Sequence, residues 1–95
     1  MELKNGQYQI GGVNVLELCK EYGTPLYVYD AAIIERQYNR LKNAFGKTKV
    51  DIHYACKALN NISVLKFIKN LGGSLDTVSI QEVQLGLKSG FEPND

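Results

Sequence analysis

No run of apolar residues in this 95-residue chain approaches the length of a membrane-spanning helix. Neither sign of charge dominates: eleven Lys and Arg against ten Asp and Glu leave a net charge of +1. With no basic run or stripe, there is no electrostatic footprint for nucleic acid or for a membrane surface. Cysteine is scarce. Cys19 and Cys56 are too few and too far apart for a disulfide framework or a metal site, so no metal is expected. Each reads as a small buried hydrophobe. His53 is the only histidine. The opening stretch, Met1 to Gly6, lacks the apolar core of a signal peptide, so the expected address is the cytoplasm. What remains is ordinary for a globular protein, with 44% hydrophobic and 22% charged residues. A chain of this length buries one modest core rather than a large enzyme domain.

Periodicity and punctuation predict alternating elements. Tyr8 to Ile10 is a short possible strand ended by Gly11-Gly12. Val15, Leu18, Cys19 and Tyr22 recur at helical spacing, with Asn14 and Glu17 at capping-box spacing and Gly23 as the stop. Leu26 to Tyr29 reads as a strand with Pro25 at its start, where proline is tolerated. Asp30 caps a second helix, from about Ala31 to Phe45, whose stripe is Ile34, Tyr38, Leu41 and Phe45. A strand follows from Val50. Asn60-Asn61 then turns the chain into a third helix, from about Ile62 to Leu71, facing inward with Val64, Leu65, Ile68 and Leu71. Leu75 to Val78 is the next strand. Ser79 and Glu82 form a full capping box for a fourth helix running to about Ser89, with Val83 and Leu87 inward.

From Val50 the order strand, helix, strand, helix with short joints argues for parallel strands. Two such strands cannot cover both of their own faces, which parallel sheets require. The chain therefore reads as the opening of a larger α/β fold, with no internal repeat or low-complexity segment.

The stretch His53-Tyr54-Ala55-Cys56-Lys57-Ala58 carries the chemistry. Strict alternation would put Val50, Ile52, Tyr54 and Cys56 on one face and Asp51, His53, Ala55 and Lys57 on the other. An amine at a strand end, pointing into the mouth of a sheet or barrel, stands where α/β enzymes keep their active residues. Such a lysine can form a Schiff base with an aldehyde, and burial can depress its pKa enough to make it nucleophilic. On spacing alone, Lys57 also reads as an ordinary lysine snorkelling from a strand end to water.

Three stretches carry a family resemblance: Tyr22-Gly23-Thr24-Pro25-Leu26-Tyr27-Val28-Tyr29-Asp30, Tyr54-Ala55-Cys56-Lys57-Ala58, and Asp76-Thr77-Val78-Ser79 with Glu82. In order and spacing the chain resembles the N-terminal part of the diaminopimelate decarboxylase family. That family belongs to the alanine-racemase-like, fold-type III pyridoxal-phosphate decarboxylases, and the resemblance runs from about Ile10 to Phe91. There are departures. Cys56 stands where the family has valine, Leu59 separates Ala58 from Asn60, and Ile80-Gln81 replaces Gly-Gly before the glutamate.

The resemblance implies a pyridoxal 5'-phosphate-binding (β/α)8 barrel of TIM type. Residues 1–30 would contribute a helix and one strand, Leu26 to Tyr29, to a second β-domain, and residues 31–95 would begin the barrel. It implies Lys57 as the catalytic, cofactor-holding lysine, with Asp76 beside it in an electrostatic role and Ala55 leaving room for the cofactor ring. Asp76 also reads as a plain strand-end carboxylate and Ala55 as plain packing. His53 reads as an interior residue, and Tyr27, Tyr29, Tyr38 and Tyr54 as core or interface aromatics. The implied reaction is decarboxylation of the amino acid meso-2,6-diaminopimelate to L-lysine, the last step of lysine biosynthesis, in a homodimer.

A closed barrel takes roughly 250 residues, so this chain is expected to be an N-terminal fragment, inactive alone. A sister decarboxylase for ornithine, arginine or carboxynorspermidine, and a non-catalytic pyridoxal-phosphate carrier barrel, stand as the alternatives.

Overall fold

The computed structural model describes all 95 residues, which fall into two compact units, Met1–Ile34 and Glu35–Asp95.

The first unit is built on two tight turns. Strands β1 (Glu2–Lys4), β2 (Gln7–Ile10) and β3 (Val13–Asn14) form an antiparallel sheet in that order. The register pairs Lys4 with Gln7 and Ile10 with Val13, leaving two-residue loops. Both loops hold positive φ at both central residues: Asn5 at 51° and Gly6 at 75°, Gly11 at 57° and Gly12 at 80°. That is the hairpin turn whose twist matches the flanking strands, and it selects Asn-Gly and Gly-Gly. The expected strand at Tyr8 to Ile10 is thus the middle of three.

Helix α1 (Val15–Tyr22) follows directly, its start capped by the Asn14 side chain, which accepts from the Leu16 amide. The residues expected as a strand, Leu26 to Tyr29, form none. No other strand lies alongside to take up their backbone groups, and Tyr27 is 86% exposed. Cys19 is half-buried rather than enclosed.

Helix α2 (Ala31–Ala44) starts at Asp30, whose Oδ1 accepts from the amides of Ala32 and Ile33. Of its expected stripe only Tyr38 is buried; Leu41 and Phe45 remain about half exposed. In the second unit, β4 (His53–Ala55) and β5 (Ser74–Asp76) pair in parallel, with His53 opposite Ser74, Tyr54 opposite Leu75 and Ala55 opposite Asp76.

Helix α3 (Ile62–Asn70) connects the two strands. Asn61 Oδ1 caps it, accepting from the amides of Ser63 and Val64. Its inward residues Val64, Leu65 and Ile68 join Tyr38, Cys56 and Phe91 to make the core, with Leu65 and Cys56 fully enclosed. Helix α4 (Ile80–Lys88) follows β5. Val83 and Leu87, expected inward, are 39% and 51% exposed. They line an open apolar hollow with Leu75, Gly86 and Phe91, because a two-stranded sheet offers too little surface to cover them.

Past α4 the chain is tied back to α3. The Lys69 ammonium forms an ion pair with Asp95 and lies 5.5 Å from the centre of the Phe91 ring. Asp95 Oδ2 also accepts from the Glu92 amide.

Candidate active site

The carboxyl ends of β4 and β5 define one edge of the parallel sheet. In open and closed α/β sheets this is the edge at which ligands bind, because the strand-to-helix loops there can be varied without disturbing the core. Ala55 ends β4 and Asp76 ends β5, and these two residues are direct register partners. Lys57 follows Ala55 by two residues. The fold therefore places an amine, on the turn after β4, and a carboxylate, at the end of β5, at one edge of the sheet.

Lys57 does not extend the strand. The alternation breaks at Ala55, and Cys56–Ala58 wind into a single 3-10 turn. An extended strand would have put Cys56 and Lys57 on opposite sheet faces. The turn instead drives Cys56 into the core, fully enclosed, and leaves Lys57 exposed. Burial pushes the Cys56 thiol pKa up, and the negative charge of Glu82 adds to the effect. The residue next to the lysine is thus a neutral thiol that serves as packing.

Asp76 is exposed as well, and Ala55 is half-buried. His53, expected in the interior, is exposed at the opposite end of β4, since no further strand covers that face.

Local hydrogen bonds hold both loops. After β5, Ser79 Oγ accepts from the Glu82 amide at 3.2 Å, and the Glu82 carboxylate accepts from the Val78 amide at 2.8 Å. The second bond reaches one residue further back than the usual capping box, so it grips the loop between Asp76 and α4. After β4, the Tyr54 hydroxyl donates to the carbonyl of Leu59 at 3.1 Å. Sequence reasoning took Tyr54 as an aromatic filler. Only its position one residue before the end of the strand hints that its hydroxyl can reach the following loop.

Comparison with known proteins bears on what this edge does. A family model described as the pyridoxal-binding domain of pyridoxal-dependent decarboxylases matches residues 31–95. The diaminopimelate decarboxylase of Methanothermobacter thermautotrophicus is 41% identical over 91 residues, covering 94% of this chain and 21% of that protein. Among solved structures, an Aquifex aeolicus protein superposes with a TM-score of 0.90 at 37% identity, over 97% of this chain and 23% of its own. The diaminopimelate decarboxylase of M. jannaschii, solved with L-lysine, superposes with a TM-score of 0.83 at 35% identity, over 94% of this chain and 22% of its own. The chain thus spans about a fifth of the length of the curated relatives it matches, 21% of the first.

Proposed function

Because the chain belongs to the pyridoxal-dependent decarboxylase family, we propose that the full-length protein converts meso-2,6-diaminopimelate to L-lysine, with Lys57 as its cofactor-holding residue. One observation carries the assignment of the site: Lys57 stands on the first loop beyond Ala55, and Ala55 is paired with Asp76 at the carboxyl edge of the parallel strands. The identity of the relatives, diaminopimelate decarboxylases at about 40%, favours this substrate over those of the sister enzymes.

The residues present suit the aldehyde side of pyridoxal 5'-phosphate. Lys57 offers an exposed primary amine engaged in no ion pair, and an aldehyde needs such an amine. When bound, the cofactor supplies an electron sink for the pair left behind as carbon dioxide departs. The chain's own groups hold and aim. The Lys57 Nζ would hold the cofactor's aldehyde and, as an amine, would also be able to carry a proton. Asp76 sets a negative charge on the adjacent strand end. Ala55 presents only a methyl group, which leaves room for a planar ring against the sheet edge. The remaining ligands of the cofactor belong to the part of the protein beyond these strands.

Residues 31–95 are read as the first part of the barrel and residues 1–30 as part of a separate β-domain. No helix of the chain is long and apolar enough to cross a membrane. A cytoplasmic homodimer is the assembly we assign to the full-length enzyme, and the 95-residue piece is expected to be inactive alone.

Reduction of the full-length protein with borohydride, followed by peptide mapping, tests the site. The tag belongs on Lys57, and a tag elsewhere refutes the assignment. Assay against diaminopimelate, ornithine, arginine and carboxynorspermidine tests the substrate. Turnover of one of the other three in preference to diaminopimelate assigns a sister enzyme, and turnover of none assigns a carrier.

A further inference from the structure

The turn that carries Lys57 is short and needs support from outside itself. Cys56–Ala58 form one 3-10 turn, entered from Ala55 at φ −69° and ψ 104° and left through Leu59 at φ −164° and ψ 111°. Three residues of 3-10 helix have poor internal hydrogen-bond geometry, and no side chain caps this turn. The buried Cys56 side chain holds its first residue. Its far end is held by the Tyr54 hydroxyl, which donates to the Leu59 carbonyl at 3.1 Å. Tyr54 stands three residues before Lys57 and Leu59 two residues after it, so the bond closes a loop with the lysine inside. Phenylalanine would supply the same ring to the same half-buried place. Packing therefore does not account for the hydroxyl.

The geometry points to Tyr54 as a positioning residue: its hydroxyl, bonded across the turn to Leu59, sets where the Lys57 amine is presented. The inference rests on the reading of Lys57 as the cofactor lysine. Tyr54 touches no reacting atom and acts through the backbone of the turn. A loop closed by this bond presents the amine in one place. Without the bond, the turn loses that restraint and the amine samples a wider volume, so each encounter with the aldehyde is less often productive.

Tyr54→Phe in the full-length protein is the test. The cofactor-free protein is titrated with pyridoxal 5'-phosphate by absorbance, and the rate at which the borohydride-trappable adduct appears is followed by mass. Thermal unfolding of the cofactor-free chains is recorded alongside. Loss of one hydrogen bond to a partly exposed carbonyl predicts about 3- to 10-fold weaker cofactor binding and a comparably slower tagging rate. Little change is expected in the unfolding midpoint. Unchanged affinity and tagging rate would overturn the proposal and leave Tyr54 a structural aromatic.

If the wild-type protein is tagged at another lysine, the cofactor assignment itself fails, which is a separate result. If the phenylalanine variant does not fold, 4-methylphenylalanine at position 54 replaces it. That side chain keeps the ring and a group of similar size at its tip but cannot donate to the Leu59 carbonyl, and is expected to weaken binding by about the same 3- to 10-fold. Unchanged binding there overturns the proposal equally.

Discussion

Gly73 marks the step from α3 into β5, and a single methyl group placed there should be felt through the second unit. Its φ is not in the left-handed region, so a side chain brings no backbone strain and only space decides the outcome. A Cβ at this position would lie 2.8 Å from Ile68 Cγ2, 3.2 Å from the Ile68 carbonyl oxygen and 3.3 Å from Tyr38 Cε2. Ile68 is 5% exposed and Tyr38 8%, so neither can swing into water. The Ile68 carbonyl already accepts from the amides of Leu71 and Gly73, both at 3.1 Å, which fixes the end of the helix.

Overfilling a packed core costs about 1–3 kcal/mol. With a backbone atom among the three close contacts, Gly73→Ala should fall at about 2–3 kcal/mol. Ile68→Leu moves the branch from Cβ to Cγ and so removes the offending Cγ2, at a cost of its own below about 1.5 kcal/mol. In the double variant the 2.8 Å contact is gone, while the contacts with the carbonyl and Tyr38 remain. The pair should therefore be less damaging than the sum by about 1 kcal/mol. Urea unfolding of the full-length protein, with the four chains compared at equal m-value, measures this. A Gly73→Ala change within about 0.5 kcal/mol of wild type, or strict additivity in the double variant, would refute the close approach.

Three further outcomes follow from the same structure. Asn61→Ala should destabilise by about 1 kcal/mol, because the amides of Ser63 and Val64 lose their acceptor, whereas Asn61→Asp should be near neutral; thermal unfolding of both variants decides. In the native protein at neutral pH, half-buried Cys19 should take up a maleimide well before the enclosed Cys56, whose thiol pKa is raised. Faster labelling of Cys56, read by peptide mass, would contradict the buried turn. The Asp95 carboxyl is held below its ordinary value of 3.8 by the hydrogen bond from Lys69 and then by the Glu92 amide. A lowered folded pKa means stability that is fully present above the ordinary value and fades as pH falls through the folded one. Asp95→Asn should therefore flatten the acid limb of stability against pH below about pH 4, with thermal midpoints as the measure. An unchanged acid limb would remove the ion pair from the account.

Helix starts were legible because their causes are local. Asn14, Asp30, Asn61 and Ser79 each accept from an amide two or three residues ahead, so four residues suffice to predict each cap. The first hairpin was equally local. Asn5-Gly6 is a strong signal for a two-residue turn, and Met1-Glu2-Leu3-Lys4 alternates apolar and charged before it, so this hairpin is legible in the sequence even though its first strand is exposed throughout. Leu26 to Tyr29 is the opposite case, expected as a strand and forming none within this chain. Its residues favour a strand, but a strand exists only where a neighbour accepts its hydrogen bonds. At Lys57 the alternating pattern ran on past the point where pairing with β5 ended, so a turn was taken for strand.

Composition, caps and motif order in the sequence alone were enough for the order of elements from residue 31, the parallel character of the two later strands and the family. These follow from hydrogen bonds and periodicities that close within a few residues. Tertiary structure decided where β4 stops, that Ala55 pairs with Asp76 across the sheet, and that Tyr54 reaches Leu59. Each of these depends on strand pairing or on which surfaces neighbouring elements cover, and such contacts join residues whose separation along the chain does not encode their distance in space.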